Sequence, residues 1–432
     1  MPKKQIVVVG GGFAGLHCAK QLLKSREDVD VILLSRSQNF LFYPMLIKLA
    51  VSKIEARDIL VNLKAECDDA QILTGELTSL SPQSNKLRYR SAQQGRTLSL
   101  DYDELILATG SRAMVPEEKS IKKHAITMHG LRDALKLRFE LNRMFERCHE
   151  ARSEGDEPKQ QHIAVVGGGY TGCELAGQIA ALIKERSLVY KHLEKSDFKV
   201  HIVEGSQRLL SGLDEKLGEL AKKHLKSLGI EIYTNTKVAS YDYKSKHISL
   251  EDGSKVACDC LVWSGGIAAP EINKDLNLDL DDSGFIKTKE SFQTEKYANI
   301  WAIGDCAVNR KSSNKEVYAP TAQMAQMMGQ KIIKNLVRKL NGEPILPVSL
   351  FNKGMLIPLG DNYGLIDSFG IQFGGRLPWL MASLYYPFQM PTFTKKLKLL
   401  TSTLFAATTG SDPVEPLSEA SRWEDFELEK SA

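Results

Sequence analysis

The sequence predicts an α/β protein with two Rossmann-like dinucleotide-binding domains and a C-terminal membrane-interface segment. Three observations predict the two domains. A strand, a glycine-rich turn and a helix follow one another near the N-terminus, and the same arrangement recurs around residue 167. A third apolar strand ends abruptly in Gly304-Asp305, which delivers one carboxylate to a loop. The 432 residues are enough for two or three domains.

The first glycine-rich turn follows a buried-strand pattern at residues 6–9. Residues 10–15 have the spacing G-x-G-x-x-G, and a helical pattern comes directly after them. Glycine permits a tight turn and lets backbone amides approach a pyrophosphate at the positive end of the helix. The predicted binding residues are Gly10, Gly12, Phe13, Ala14 and Gly15.

The ribose end of this first site departs from the usual pattern. Its second strand ends at Ser35 rather than at the acid that commonly binds a ribose hydroxyl. A serine hydroxyl binds more weakly than a carboxylate, and the adjacent Arg36 is suited to contact adenine or phosphate. We expect the nucleotide to bind with a weaker hold on its ribose.

Two segments between the glycine-rich turns are further candidates for the first site. Residues 39–50 (NFLFYPMLIKLA) are unusually aromatic for a loop. They either fold over the core or form a wall beside a flat ring system, and both interpretations stay open. A second buried strand ends in Ala108-Thr109-Gly110, which we predict to contact the same nucleotide.

The second glycine-rich turn repeats the first pattern between a strand at residues 162–166 and a helix. The predicted binding residues are Gly167, Gly169, Tyr170, Thr171 and Gly172. The next strand ends in Glu204, whose carboxylate is expected to accept hydrogen bonds from both ribose hydroxyls and to repel a 2′-phosphate. The sequence therefore favours NADH over NADPH at this site.

Two further features are assigned to the second site. Glu174 lies near the start of the second helix, where it either interacts with the helix dipole or places a carboxylate beside the nicotinamide. We treat it as a catalytic candidate on the second interpretation. Gly265 and Gly266 follow another strand, and they allow the backbone to approach the nicotinamide end.

Two such turns in one chain indicate two different nucleotides, a tightly bound FAD and NADH. Together they predict a relay in which two electrons pass from the nicotinamide through the flavin to an acceptor. Gly304 and Asp305 are expected to close the flavin site, with Asp305 at a ribityl hydroxyl. The predicted domains are 1–113 and 285–345 for FAD, 114–284 for NAD, and 346–432 for a membrane-anchoring region with an acidic tail.

This set of motifs resembles the two-dinucleotide-binding flavoprotein, or pyridine nucleotide-disulfide oxidoreductase, superfamily. Its disulfide-reducing branches carry a Cys-x-x-Cys or Cys-x4-Cys pair, and the seven scattered cysteines form no such pair. The closest resemblance is to the type II (non-proton-pumping) NADH:quinone oxidoreductases. It is carried by residues 42–46 (FYPML), 172–177 (GCELAG), 213–217 (LDEKL), 262–263 (VW), 322–323 (AQ) and 351–355 (FNKGM).

The resemblance implies a respiratory-chain flavoprotein that passes electrons from NADH through FAD to a membrane quinone. By residue match, Glu174 is the acid near the nicotinamide and flavin, Ala322 borders the flavin, and Gln323 borders the quinone site. Lys353 is assigned to the quinone pocket in the same way.

One departure from the family pattern concerns the acceptor. The family's second glutamine, four residues after the first, falls at Met327. Met324, Met327 and Met328 either form ordinary helix core or offer a flexible apolar lining for a lipid-like tail. Two other hypotheses therefore stay open: a soluble FAD-dependent NAD(P)H oxidoreductase with a non-quinone acceptor, and an FAD- and NADH-binding redox sensor.

Composition narrows the partners. A net charge of +4 is small for this length, so nothing points to nucleic acid, and the cysteines show no metal-ligand spacing. Apolar and aromatic residues interleave with lysines over residues 373–407, which is typical of a segment in a membrane interface. The alternatives are a homodimer interface and a cap on the core. Residues 412–432 are acidic and contain two prolines, which predicts a mobile tail.

The expected location follows from the resemblance and from the N-terminal sequence. We expect no targeting peptide ahead of the first strand and no uncharged apolar run of transmembrane quality. These expectations, with the resemblance, imply a peripheral enzyme on the cytoplasmic side of the cell (inner) membrane.

Overall fold

The computed structural model describes residues 3–26, 28–310 and 316–409, with side chains described up to residue 401. The α-helices are α1 (Phe13–Ser25), α2 (Leu46–Ala50), α3 (Ala56–Ile59), α4 (Leu63–Glu66), α5 (Lys119–His124), α6 (Leu131–Ser153), α7 (Tyr170–Val189), α8 (Glu215–Ser227), α9 (Ala322–Leu340), α10 (Arg376–Phe388) and α11 (Phe393–Thr409).

The strands form sheets of two to seven members. They are β1 (Lys4–Val9), β2 (Val29–Ser35), β3 (Asn39–Leu41), β4 (Leu60–Asn62), β5 (Gln71–Ser81), β6 (Lys86–Ser91), β7 (Thr97–Asp101), β8 (Glu104–Leu107), β9 (Arg112–Ala113), β10 (Ile126–Thr127), β11 (Gln161–Val166), β12 (Phe198–Val203), β13 (Glu231–Tyr233), β14 (Val238–Asp242), β15 (His247–Leu250), β16 (Lys255–Ala257), β17 (Cys260–Trp263), β18 (Ile267–Ala268), β19 (Ile286–Lys287), β20 (Ile300–Ala302), β21 (Ala307–Val308), β22 (Met355–Pro358), β23 (Gly364–Ser368) and β24 (Ile371–Gly375).

These elements pack into two compact units, each built from separate parts of the chain. The first unit comprises residues 1–43, 60–112 and 267–352, and the second comprises residues 44–59, 113–266 and 353–432. The α/β class with two dinucleotide-binding domains is confirmed. The predicted boundaries fall at 113/114, 284/285 and 345/346, whereas the units change at 43/44, 59/60, 112/113, 266/267 and 352/353.

Local contacts explain where the unit boundaries differ from the predicted ones. Leu276 and Leu278 belong to the apolar core around Ile286 and Ile300, so this stretch packs with the first unit. Residues 44–59 pack with the second unit, because Lys53 forms an ion pair with Asp361 in that unit. The C-terminal region also packs there, and the Tyr363 ring stacks on the His224 ring with centroids 3.8 Å apart.

The first unit is organised by a seven-stranded sheet with the order β20-β8-β1-β2-β5-β6-β7. The strands from β20 to β5 are parallel, whereas β6 and β7 pair antiparallel. The carboxyl ends of parallel strands meet at one sheet edge, where nucleotides bind. This order therefore brings the residues after β20, β8, β1 and β2 together at that edge.

The second unit contains a five-stranded parallel sheet with the order β10-β17-β11-β12-β13. Its carboxyl edge carries the second glycine-rich turn after β11, Glu204 after β12 and Ser264 after β17. Helix α8 also belongs to the second unit. Asp214 caps its N-terminus by accepting a hydrogen bond from the Lys216 amide (2.9 Å), and Gly229 follows its end with φ of +84°.

The C-terminal part of the second unit consists of the antiparallel sheet β22–β24 followed by α10 and α11. Within the part of the chain that the structure describes, no helix is both long enough and apolar enough to span a bilayer. The predicted mobile tail at residues 412–432 lies outside the described residues.

Candidate functional site

The first glycine-rich turn forms an open cradle at the start of α1. Gly10 has φ of +116°, and a Cβ atom there would lie 2.0 Å from the Ala108 carbonyl oxygen. A Cβ at Gly15 would lie 1.8 Å from the Gly10 carbonyl oxygen, so both positions require glycine. Gly12 precedes α1 without a side-chain cap, and a Cβ at Gly12 would meet nothing within 4 Å. Among the described residues, there is thus open space beside Gly12 at the helix N-terminus, where a pyrophosphate is expected.

The strand ends predicted to close this site lie at the same sheet edge. Gly304 has φ of +71°, and its amide donates a hydrogen bond to the Met328 sulfur (3.2 Å). The Asn309 side-chain amide donates to the Gly304 carbonyl oxygen (3.2 Å). These two contacts hold the turn that carries the partly buried Asp305. Sequence reasoning treated Met328 as core or tail lining and missed this backbone contact.

Helix α9 packs directly on α1 through Gly329, where a Cβ would lie 2.2 Å from the Ala14 carbonyl oxygen. Ala322 is the first residue of α9, and the Thr321 hydroxyl accepts a hydrogen bond from the Met324 amide (3.2 Å). Met324 and Met328 are buried, in line with the helix-core interpretation, whereas Met327 is partly exposed.

Four buried polar atoms in the first unit lack a hydrogen-bond partner among the described residues: the Gln323 side-chain nitrogen, the Thr109 hydroxyl, the Tyr102 hydroxyl and the Asn273 side-chain oxygen. Two of them, on Gln323 and Thr109, belong to residues that the sequence assigns to a ligand site. Burying such groups unpaired is costly. Because Thr109 was predicted to contact the flavin and Gln323 to border the quinone site, both orphaned groups fit a ligand that supplies the missing partner. Gly110, next to Thr109, has φ of +73° and open space at its Cβ position.

The residues predicted to bind ribose have different surroundings in the two units. Ser35 is buried beside the first turn, since a Cβ at Gly11 would lie 2.6 Å from its hydroxyl oxygen. Arg36 is exposed. In the second unit, Glu204 accepts hydrogen bonds from the amides of Gly168 (2.5 Å) and Ser206 (2.6 Å). The Glu204 carboxylate is thus held in place by backbone amides, and Ser35 offers no comparable charged group.

The aromatic segment at residues 39–50 mainly packs in the protein interior. Phe40 and Phe42 are almost fully buried, and the Phe13 and Phe40 rings meet edge to face with centroids 4.9 Å apart. Tyr43 is exposed. The interpretation as a fold over the core therefore holds for Phe40 and Phe42.

The second glycine-rich turn has the same construction as the first. Gly167 has φ of +106°, and a Cβ at Gly172 would lie 1.8 Å from the Gly167 carbonyl oxygen. Gly169 precedes α7 without a side-chain cap, and a Cβ there would meet nothing within 4 Å. Tyr170 and Thr171 form the first turn of α7, with Thr171 exposed.

A third turn in the second unit follows β17. The Gly266 amide donates to the Ser264 carbonyl oxygen (3.0 Å), and Gly266 has φ of +104°. The Trp263 indole donates to the Met114 carbonyl oxygen (2.7 Å), and a Cβ at Gly265 would lie 2.9 Å from the indole nitrogen. This packing accounts for glycine at both positions.

The three predicted catalytic residues occupy different parts of the chain. Gln323 lies in the first unit, and Glu174 and Lys353 lie in the second. Lys353 is exposed, and its carbonyl oxygen accepts a hydrogen bond from the Ser368 hydroxyl (2.6 Å). Glu174 lies on α7, and burial raises its pKa to about 8, against the opposing effect of the Lys48 ammonium. Burial therefore outweighs any stabilisation of the carboxylate by the helix N-terminus.

All seven cysteines are buried and free. Cys258 and Cys260 both pack in the core of the second unit. Cys306 directly follows Asp305, and burial raises its thiol pKa. A nucleophilic thiol requires a lowered pKa and exposure to solvent. Cys306 has neither, so its side chain contributes to packing.

Comparison with known proteins agrees with this arrangement. The model of the pyridine nucleotide-disulphide oxidoreductase family matches residues 4–329. A type II NADH:quinone oxidoreductase of Mycobacterium tuberculosis is 27% identical over 417 residues, covering 93% of this chain and 87% of that protein. A demethylphylloquinone reductase of Synechocystis is 26% identical over 403 residues, with 91% and 94% coverage.

A solved structure extends the comparison to the fold. NDH2 of Plasmodium falciparum in complex with NADH superimposes with a TM-score of 0.85 at 18% identity. The superposition covers 96% of this chain and 100% of that one. The fold similarity therefore includes the C-terminal part that lies beyond the family match.

Proposed function

Because the chain belongs to the pyridine nucleotide-disulphide oxidoreductase family, we propose that it is an FAD-dependent NADH dehydrogenase that reduces a membrane quinone without pumping protons. The observation that carries this proposal is the duplicated cradle, in which two uncapped helix N-termini face open space beside glycine turns. Similarity to quinone reductases over about nine-tenths of the chain supports a quinone as the electron acceptor.

The residues of the first unit fit FAD. When bound, FAD supplies the two-electron carrier between nicotinamide and quinone. Gly10, Gly12 and Gly15 leave space for its pyrophosphate at the start of α1. Asp305 is proposed to bind a ribityl hydroxyl. The remaining proposed contacts are Phe13, Ala14, Ser35, Arg36, Ala108, Thr109, Gly110, Gly304 and Ala322.

The residues of the second unit fit NADH. Glu204 keeps a carboxylate beside the turn at which a ribose would lie, and a 2′-phosphate there would be repelled. Arg208 does not offset this repulsion, because its guanidinium donates to the carbonyl oxygens of Leu210, Ser211 and Leu213. The remaining proposed contacts are Gly167, Gly169, Tyr170, Thr171, Gly172, Gly265 and Gly266.

The overall reaction, NADH plus a proton plus quinone giving NAD⁺ plus quinol, consumes one proton from solvent. We propose Glu174 as the group that holds this proton, since its raised pKa keeps the carboxyl largely protonated near neutral pH. Gln323 and Lys353 are proposed to contact the quinone. The unpaired nitrogen of Gln323 is a donor suited to a quinone carbonyl oxygen.

Steady-state assays test the acceptor and the nucleotide together. Purified holoprotein is expected to oxidise NADH with a ubiquinone or menaquinone analogue as acceptor, with kcat/KM for NADPH at least about tenfold lower because of Glu204. Reduction of a dye without reduction of any quinone would refute the quinone as acceptor and favour the alternative, an oxidoreductase with a non-quinone acceptor. Equal use of NADPH would refute the Glu204 assignment and direct attention to Lys237, whose side chain lies along Gly205.

We further propose that α10 places the protein on a membrane surface. One face of α10 exposes apolar side chains with helical spacing: Leu377, Leu380, Met381, Leu384 and Phe388. Exposed Phe393 and Leu397 on α11 add to this apolar surface. We place the protein on the cytoplasmic side of the inner membrane, where its NADH is supplied. A homodimer formed through the same face is the alternative.

Three lysines of this region contact other residues of the protein. Lys395 donates to the Arg57 carbonyl oxygen (2.5 Å), and Lys398 forms an ion pair with Asp58. The Lys396 ammonium lies 5.1 Å from the centre of the Phe388 ring. The first two contacts hold α11 against α3, and the third joins α11 to α10. The apolar face rather than the lysines therefore carries the membrane proposal.

Vesicle binding tests the membrane proposal. The double change Leu380→Ser with Leu384→Ser is expected to weaken cosedimentation with phospholipid vesicles at least about tenfold, because each leucine withdrawn from lipid contributes about 1 kcal/mol or more. Leu188→Ser is the matched control, since Leu188 is an exposed leucine on α7. Unchanged vesicle binding by the double variant, with a shift from dimer to monomer in sedimentation, would favour the homodimer.

A further inference from the structure

Lys48 is a charged residue in an otherwise apolar segment of the second unit. It lies in the middle of α2, and its neighbours Leu46, Ile47 and Leu49 are buried. Lys48 itself is only partly exposed. A buried or half-buried ammonium is costly unless a nearby anion or acceptor compensates it. We therefore expect an anion or a hydrogen-bond acceptor close to the Lys48 ammonium.

The contacts around α2 fix the direction in which this partner lies. Helix α2 packs against α7. The Lys48 carbonyl oxygen accepts a hydrogen bond from the Lys53 amide (2.8 Å), which places Lys53 directly behind α2. The Lys53 ammonium donates to the Gln178 side-chain oxygen (3.0 Å) on α7. Gln178 is one helical turn after Glu174, about 6 Å along the helix axis. The segment is thus fastened to the α7 face that carries Glu174.

Further charged groups lie around the pair. Lys48 interacts with the charges of Glu174, Lys53 and Asp361, and Lys53 forms an ion pair with Asp361 (2.5 Å). On α6, which also packs against α2, Arg138 forms an ion pair with Glu55 (3.1 Å).

Tyr386 approaches Glu174 from α10, and its hydroxyl donates to the Leu356 carbonyl oxygen (2.6 Å). Burial raises the Tyr386 pKa, so this hydroxyl stays neutral. Asp361 forms an ion pair with Lys53, and Arg138 forms one with Glu55. Within the described residues, the Lys48 ammonium is the charge that lowers the pKa of the Glu174 carboxyl, against the larger effect of burial.

We propose that Lys48 and Glu174 form one proton-binding pair, in which the Lys48 ammonium sets the pH at which the Glu174 carboxyl releases its proton. This inference rests on the proposed NADH:quinone activity. The hydride of NADH carries two electrons and one proton, and the quinol needs a second proton from solvent. The pair stores this second proton on the Glu174 carboxyl. Lys48 acts through Glu174 and is a positioning residue.

The direction of the effect follows from electrostatics. Burial lowers the pKa of Lys48 to about 8 and raises that of Glu174 to about 8, so both groups titrate in the same pH range as a coupled pair. A cation beside a carboxyl favours its ionised form. Removing the cation must therefore raise the pKa of the carboxyl further.

Infrared difference spectroscopy on the oxidised holoprotein, without quinone, tests the proposal. The band of a protonated carboxyl is followed from about pH 5 to about pH 10. In Lys48→Met this band is expected to persist to higher pH, with its midpoint raised by about one pH unit, a tenfold change in proton affinity. Lys48→Arg is expected to keep the wild-type midpoint, and Glu174→Gln is expected to lack the band. The pH profile of kcat with a quinone is expected to shift in the same direction as the band.

Lys53→Met is the matched control, because it removes a cation from the same segment that contacts Gln178 and Asp361 rather than Glu174. It is expected to leave the midpoint in place or to lower it. An unmoved midpoint in Lys48→Met, or an equal rise in Lys53→Met, would overturn the proposal. Since no quinone is present in the infrared titration, a protein that reduces only dyes would refute the proposed acceptor without deciding this test.

Discussion

Replacing Glu104 with alanine is expected to lower the free energy of unfolding by about 3–5 kcal/mol, the range for removing one partner of a buried ion pair. Glu104 is only 5% exposed, at the start of β8. Its carboxylate accepts a hydrogen bond from the Trp301 indole (2.9 Å) and pairs with the Lys339 ammonium (2.5 Å). The alanine variant leaves an indole N–H unpaired and a cation without its partner. Chemical denaturation monitored by fluorescence measures the loss.

Two comparisons make this prediction specific. Glu104→Gln retains an acceptor for the indole, so we expect a smaller loss of stability than in the alanine variant. Asp101→Ala removes an exposed partner of Lys86, at the end of β7 in the same sheet, and is expected to change stability little. An alanine variant at position 104 as stable as the Asp101 variant would show that the buried pair contributes nothing net.

The same contacts link stability to the proposed flavin site. Trp301 is fully buried in β20, which runs directly into Gly304 and Asp305. Helix α9 carries Ala322 at its start and Lys339 near its end, so the Glu104–Lys339 pair joins α9 to the central sheet. We therefore expect the FAD content of the Glu104→Ala protein to fall along with its stability.

The sequence predicts local features of this fold well, because short-range chemistry determines them. Each glycine turn has its strand before it and its helix after it within about twenty residues. Both turns lie in the structure where the sequence predicts them. Glu204 and Ser35 were predictable because strand ends are visible in the hydrophobic pattern. The strand leading to Gly304 was predicted for the same reason.

Contacts between distant parts of the chain were not predictable from the pattern. Glu104 and Trp301 are 197 residues apart, and the sequence around either residue does not indicate that the two side chains form a hydrogen bond. Arg208 lies four residues after Glu204, yet its donation to three carbonyl oxygens appears only when the loop is folded. Lys48 carried a signal, a single lysine in an apolar run, but its partner on α7 lies far along the chain.

Segment assignment shows the same limit. Residues 44–59 interrupt the first unit in sequence yet pack with the second, because Lys53, Lys395 and Lys398 make contacts within that unit. A sequence pattern reports whether a stretch is buried, and it does not report against which neighbour. For the same reason, the sequence shows that residues 39–50 are unusually aromatic, but it does not show that Phe40 and Phe42 pack against Phe13.

Gly169→Ala is expected to lower the affinity for NADH by about tenfold to hundredfold, or about 1.4–2.8 kcal/mol, while leaving the melting temperature of the protein unchanged. A Cβ at Gly169 meets no protein atom within 4 Å, so the methyl group has no cost in the folded protein without nucleotide. It enters the open space at the N-terminus of α7, where backbone amides must approach the pyrophosphate. Titration calorimetry with NADH and a thermal melt without it measure the two quantities separately.

Gly172→Ala provides the contrast, since its Cβ would lie 1.8 Å from the Gly167 carbonyl oxygen and 2.8 Å from the Ser264 hydroxyl oxygen. Backbone must shift to accept that methyl group, so we expect a lower melting temperature as well as weaker NADH binding. The two variants therefore test different requirements: Gly172→Ala fills space that the fold needs, and Gly169→Ala fills space that only the nucleotide needs. If Gly169→Ala bound NADH as tightly as the unaltered protein, the pyrophosphate could not lie at the start of α7, and the nucleotide assignment of the second unit would have to be abandoned.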